Sequence, residues 1–345
     1  MIKPQKLKMS KKPFNCIVLL TSFFAIILSC GNKNNLNLKD AIDIYRFDKA
    51  LFEIHGAEPI KEVKSLHKNN TLFFETYFKH VLGISMINQD SLQYYEQVLA
   101  FTKHKDMEAL YKDTKKIFPD LAQEELELGN GFKILKSYFP SLKTPRIYSV
   151  ITALNIAAFS FDGFIGLGID LFLGPDYPNY QNSGHPQYLV ENFKKENICI
   201  WSMKTFLNDI FPLNNENSSL IDHMLHEGKL RFLLSISFPD KKEHEIMSFS
   251  QKELDWCSNN ENEIWLFFIK RNLLFEKDPN LFMKFITEGP NTSGMPKESP
   301  GNIGSWLGYQ IVKSYVKTQD NLNVPNLFNN SLNANDFLNK SKYKP

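Results

Sequence analysis

The stretch LIDHMLHEGKLRF, Leu220 to Phe232, holds the side chains of this chain best suited to metal chemistry. His226 and Glu227 stand in the order that opens a zinc-peptidase helix, where a histidine binds the metal and the glutamate takes a proton from the attacking water. That chemistry needs a second histidine four residues on, so that both ligands share one helix face. Residue 230 is Leu230, which cannot bind metal. His223 and Glu227 are also four apart and could supply two ligands. Glu227 would then act as a ligand and not as a base. The third ligand would come from elsewhere, for example Glu261 or His185, and no spacing identifies it. Three readings stay open: a structural or degenerate peptidase helix, an unconventional metal site, and non-metal binding by His223, His226 and Glu227. The broken pair favours the first. No catalytic residue, no metal ligand and no cofactor is assigned.

Other chemistry is thinner. No G-x-S-x-G elbow occurs, and no Cys/His set has protease spacing. Glu261 and Glu263 form a pair too common to argue for sugar hydrolysis. Asp170, Asp176 and Tyr177 fall in or beside a Gly- and aromatic-rich loop that could face a cleft. Gly304 and Gly308 match neither a dinucleotide fingerprint nor a phosphate loop. They read as one small face where another element comes close.

The elements that would position these residues are mostly helices. IDIYRF alternates and suggests a strand, followed by a helix through Phe52. Several helices follow over 58–140. RIYSVIT is a strand, and AAFSFDGFIGLGIDLFLG reads as two strands joined at Asp162-Gly163. The rest reads as helices at about 187–195, 203–210, 219–236, 250–272, 279–286 and 302–318. Ser219 and Asp222 form a capping box. Ile221, Met224, Leu225, Gly228 and Phe232 make a buried stripe on the helix that they start. Ser299 with Pro300 caps the last long helix, and Trp306, Leu307, Ile311 and Tyr315 cover core. With strands set between helices and no βαβ alternation, the fold class is α+β, mostly helical.

The N-terminus carries a targeting signal. MIKPQKLKMSKKP has five lysines and no acid, and an apolar run of about 15 residues follows, short for a permanent span. ILSCGN then resembles a lipobox, which implies cleavage before Cys30 and acylation of its thiol, with palmitate among the acyl chains. An ordinary export signal and an uncleaved anchor are the alternatives. Without residues 1–29 the chain has 35 basic (40 − 5) and 38 acidic residues, a net charge of −3, and no basic patch argues for nucleic acid. Cys199 and Cys257 read better as two separate buried thiols than as a disulfide. The expected organisation is a signal peptide over 1–29, a polar tether over 30–40, one globular domain over 41–318, and a loop with a short terminal helix over 319–345.

Several stretches together resemble the gliding-motility lipoprotein GldB family. They include the Cys30 lipobox, YRFDKALFE, YFPSLKTPRIYSVIT, IGLGIDLFLGPDYPNY, LIDHMLHEGKLRFLL, WCSNNENEIWLFFIKRNLLF and ESPGNIGSWLGYQIVKSYV. The resemblance implies a zincin-like part from about residue 145, a small sheet followed by helices. It also implies a lipoprotein held by acyl chains to the inner or outer membrane, facing the periplasm beside other gliding and secretion lipoproteins. GNKNN after Cys30 lacks the acidic cluster of surface export. Only Cys30 carries over as a functional position. The expected role is a non-enzymatic scaffold or assembly factor. A divergent zinc metallopeptidase and a peptide- or peptidoglycan-fragment-binding lipoprotein are the rivals.

Overall fold

The first strand and the sheet centre are joined by charge. Asp48 is 1 % exposed. Arg46 grips it with two hydrogen bonds, at 2.9 and 2.7 Å, and Ser149 donates to it at 2.6 Å. A buried carboxylate is tolerable only when satisfied in this way. The bonds tie Arg46–Asp48, just past strand β1 (Ile44–Tyr45), to strand β2 (Arg146–Val150). These elements belong to a computed structural model that describes residues 41–84, 92–213, 217–329 and 332–345. Cys30 lies outside the described residues.

Between β1 and β2 run helices α1 (Phe47–Phe52), α2 (Pro59–Asn69), α3 (Thr71–Thr76, continued by a wider π-helical turn), α4 (Leu92–Lys103), α5 (Lys105–Ile117) and α6 (Ala122–Tyr138). Strands β3 (Ala158–Phe161) and β4 (Phe164–Gly168) complete a four-stranded mixed sheet, ordered β1-β2-β4-β3. β1 and β4 pair with β2 in parallel, and β3 with β4 antiparallel. The tight turn between β3 and β4 places both Asp162 and Gly163 at positive φ, 43° and 81°, the twist that a two-residue hairpin requires. Phe47, Phe73, Tyr77 and Tyr148 pack as an aromatic cluster over the sheet.

The second half holds α7 (Gln187–Val190), α8 (Ile198–Ile210), α9 (Leu220–Ser237), α10 (Glu243–Met247), α11 (Gln251–Asn259), α12 (Glu261–Lys270), α13 (Pro279–Phe282), α14 (Ile303–Lys317) and α15 (Ala334–Ser341). The architecture is α+β and mostly helical, as the pattern implied. Three boundaries, one short helix and one cap differ from expectation. The single helix at 250–272 is two, because Asn260 leaves helical geometry at φ −118°, and its Nδ2 donates at 2.7 Å to the Trp256 carbonyl, which also accepts the Asn260 N–H at 3.1 Å. α8 begins at Ile198 and not at 203, and α7 ends at Val190. α10 was not foreseen. α14 starts at Ile303, within one residue of the expected 302, but Ser299 and Pro300 do not cap it. Its N-cap is Asn302, in left-handed geometry at φ 55°. Ser299 instead accepts the Thr292 N–H at 3.2 Å and donates to Pro296 O at 2.7 Å, so its hydroxyl shapes the loop before the helix.

Candidate functional site

Helix α9 carries the candidate chemistry and its start is fixed locally. Ser219 N–H and Oγ both donate to Asp222 Oδ2, at 2.8 and 2.6 Å. Of the predicted stripe, Ile221, Met224, Leu225 and Gly228 are buried and Phe232 is half-buried. Gly228 lets α9 touch α14 backbone to backbone. A Cβ on Gly228 would lie 2.4 Å from the Gly308 carbonyl, and one on Gly308 would lie 1.8 Å from Met224 O. Both distances are far inside van der Waals contact.

Leu230 occupies the position where a second metal ligand would stand, and it is 1 % exposed within the core. His226, one turn earlier, is half-buried in a groove of about 520 Å³ that it shares with Asp222, Lys229, Phe211 and Phe337. Burial pushes its pKa below the usual histidine value, against the opposing pull of Glu227. His223 is held low in the same way and packs 4.9 Å from the Phe282 ring. Lys229 sits 5.1 Å over Phe337, and burial lowers its pKa too.

The proposed third ligands are engaged elsewhere. Glu261 accepts the Tyr343 hydroxyl at 2.7 Å. His185 Nε2 bonds Leu154 O at 2.8 Å, with its ring against Phe193. Among the described residues, no three His, Cys, Asp or Glu side chains come together in a set that could hold a metal. Cys199 and Cys257 are free, buried thiols, and burial raises both pKa values.

Asp170 does not line a cleft. It is fully buried and organises the turn after β2. Its two oxygens accept the N–H groups of Thr152 at 2.9 Å and Leu154 at 2.7 Å. Ala153 and Leu154 sit there at positive φ, 56° and 61°, a strained geometry for a bulky residue. Burial pushes the Asp170 carboxyl up to about 6, with the hydrogen bonds from Thr152 and Leu154 opposing. Asp176 is exposed nearby in sequence. His185, named as one example of a third ligand, joins this turn through Leu154.

Sequence reasoning missed Arg231. It lies three residues after Gly228 on the buried face of α9 and is 1 % exposed. A charge at a stripe position was the available signal, since arginine is almost never fully buried without a partner.

Across this fold, the family model described as gliding motility protein GldB matches residues 31–345. No curated protein and no solved structure matches the chain.

Proposed function

We infer the function from one premise: the chain belongs to the gliding motility protein GldB family, a family of lipoproteins associated with motility. Such a protein is associated with the cell envelope, and none of the described helices is long and apolar enough to cross a membrane. The proposal is a lipid-anchored, periplasm-facing and non-enzymatic component of the gliding and secretion machinery. It serves as a scaffold or assembly factor among other envelope lipoproteins. Acyl chains on Cys30 supply the anchor; two or three together bind a bilayer firmly, at about 0.8 kcal/mol per buried CH₂. The α9 region is a zincin-like scaffold whose metal chemistry has been lost.

The observation that carries the non-enzymatic reading is the fate of the i+4 position. Leu230 is part of the core, so the helix face that would present a second ligand is used for packing. His226 and Glu227 then lack the partner that zinc would require, because a catalytic zinc needs three protein ligands.

Metal content tests this directly. Protein purified without chelator is expected to contain far less than one zinc per chain, unchanged in Glu227→Ala. One zinc per chain that disappears in Glu227→Ala would establish the metallopeptidase reading instead.

A further inference from the structure

Ten large apolar side chains are exposed among the described residues, and four of them, Ile269, Phe275, Leu281 and Met283, fall within 15 residues of chain. They belong to the segment that leads from the end of α12 through α13 to the 3-10 turn Met283–Phe285. The fold sorts this segment into two sides. Leu274 O and Glu276 O accept the N–H groups of Ile221 and Leu220, at 2.8 Å each, which lays the chain along the start of α9. Leu274, Phe282 and Phe285 are buried. Phe282 packs 4.9 Å from the His223 ring, and Phe285 5.3 Å from Phe268. Phe275 stands between the two carbonyls that bond α9, yet it is 57 % exposed, and Leu281, beside the buried Phe282, is 48 % exposed. Both therefore point away from α9. The ends of the segment meet: Arg271 sits 4.2 Å over Phe267 and Lys284 5.2 Å over Phe285, and those two rings are 5.8 Å apart. The apolar tips thus crown one closed loop.

The loop is basic. Residues 269–284 hold four basic and two acidic side chains, a net charge of +2, in a chain whose charge after residue 29 is −3. Lys270, Arg271, Lys277 and Lys284 are exposed, and none of them forms an ion pair with a described residue. The two acids are turned onto the loop's own backbone. Glu276 Oε1 accepts the N–H groups of Lys277 and Asp278 at 2.8 Å each, and Asp278 Oδ1 accepts that of Asn280 at 2.9 Å.

Clustered exposed apolar side chains mark a contact surface for protein or membrane. Lysine decides between them here. It is depleted from protein–protein interfaces, whereas a bilayer surface takes Phe and Leu into the boundary between headgroups and acyl chains and meets Lys and Arg with its phosphates. We propose that this face docks on an anionic bilayer surface, with Phe275 and Leu281 entering that boundary and Lys270, Arg271, Lys277 and Lys284 against the phosphates. The inference rests on the lipoprotein reading, which brings the domain to a membrane, and adds which side of the domain faces it. At physiological salt, exposed charges are screened beyond about 8 Å. The face therefore orients a domain that the acyl chains hold, and does not hold it alone.

Sedimentation with vesicles at low salt tests it, on the whole mature protein carrying Cys30→Ala, so that no acyl chain contributes. Vesicles of phosphatidylglycerol with phosphatidylcholine are expected to bind at least about tenfold more tightly than phosphatidylcholine alone, since each net positive charge near such a surface adds roughly fivefold. Added salt is expected to weaken that binding. Phe275→Ser/Leu281→Ser is expected to bind at least about tenfold more weakly, and Lys277→Glu/Lys284→Glu likewise. All four positions are exposed, so both variants are expected to keep the native Tm. The proposal is overturned if the protein does not bind the anionic vesicles at millimolar lipid, which is also the result that a face made for an envelope protein would give. It is equally overturned if phosphatidylcholine alone binds as well, or if either double variant binds unchanged. The mass of the native protein tests the anchor separately. Absent acyl chains with vesicle binding intact would remove the anchor and keep the face, and acylated protein without vesicle binding would do the reverse.

Discussion

Gly308→Ala is expected to destabilise the domain by about 3 kcal/mol or more, well above the ordinary cost of a surface change. The added methyl would sit 1.8 Å from Met224 O and 2.4 Å from the Met224 carbonyl carbon. Both are backbone atoms of α9, so no rotamer change relieves the clash. The two helices must separate, which opens gaps along a contact where Met224 also packs against Gly304. Gly228→Ala meets the same contact from the other side, 2.4 Å from the Gly308 carbonyl. Urea unfolding of both variants measures the loss. A loss under about 1 kcal/mol in each would mean that the helices are not held as closely as described.

Asp170 gives the second large effect, a stability that falls as pH rises. Its folded pKa is about 6, above the ordinary 3.8, because burial disfavours the charged form. Between those values the folded chain holds a proton that the unfolded chain has lost. The unfolded state binds fewer protons, so stability declines with increasing pH across that window. A shift of about two pKa units corresponds to about 3 kcal/mol. Asp170→Asn removes the titration but offers one oxygen where two now take the N–H groups of Thr152 and Leu154. One buried donor is left unpaired, at about 1–3 kcal/mol. The stability advantage of the native protein over Asp170→Asn is therefore expected to shrink by about 3 kcal/mol from pH 4 to pH 7. Denaturant titrations at a series of pH values measure it, and an advantage that grows with pH would show that the hydrogen bonds outweigh burial.

Local signals proved readable where one short stretch decides the outcome. Asp162-Gly163 makes its hairpin because both positions accept positive φ. Ser219 and Asp222 close the capping contact predicted for them. Gly304 and Gly308 mark a close approach, as their spacing implied. The cap of α14 was misassigned because Ser299 and Pro300 have the residue types of a helix start, yet Thr292, seven residues back, claims the serine hydroxyl and also bonds Pro300 O at 2.6 Å. The break at Asn260 was hidden because apolar periodicity continues across it, from Trp256 to Ile264. Asp170 was read as a cleft residue because its real partners are backbone N–H groups 16 and 18 residues away, which no side-chain pattern records. His185 and Glu261 were considered as ligands by residue type alone. Their observed partners, Leu154 O and the Tyr343 hydroxyl, depend on tertiary packing.

The central claim is that this protein works in gliding as an anchored, non-enzymatic component, and complementation tests it most directly. In a gliding strain that lacks its own copy, a His226→Ala/Glu227→Ala double variant is expected to restore gliding to the level of the native gene. Cys30→Ala, deprived of its lipid, is expected to leave the membrane fraction and to fail. Loss of gliding in the double variant, with the protein folded and present at native abundance in the membrane, would contradict the account and return the function to α9.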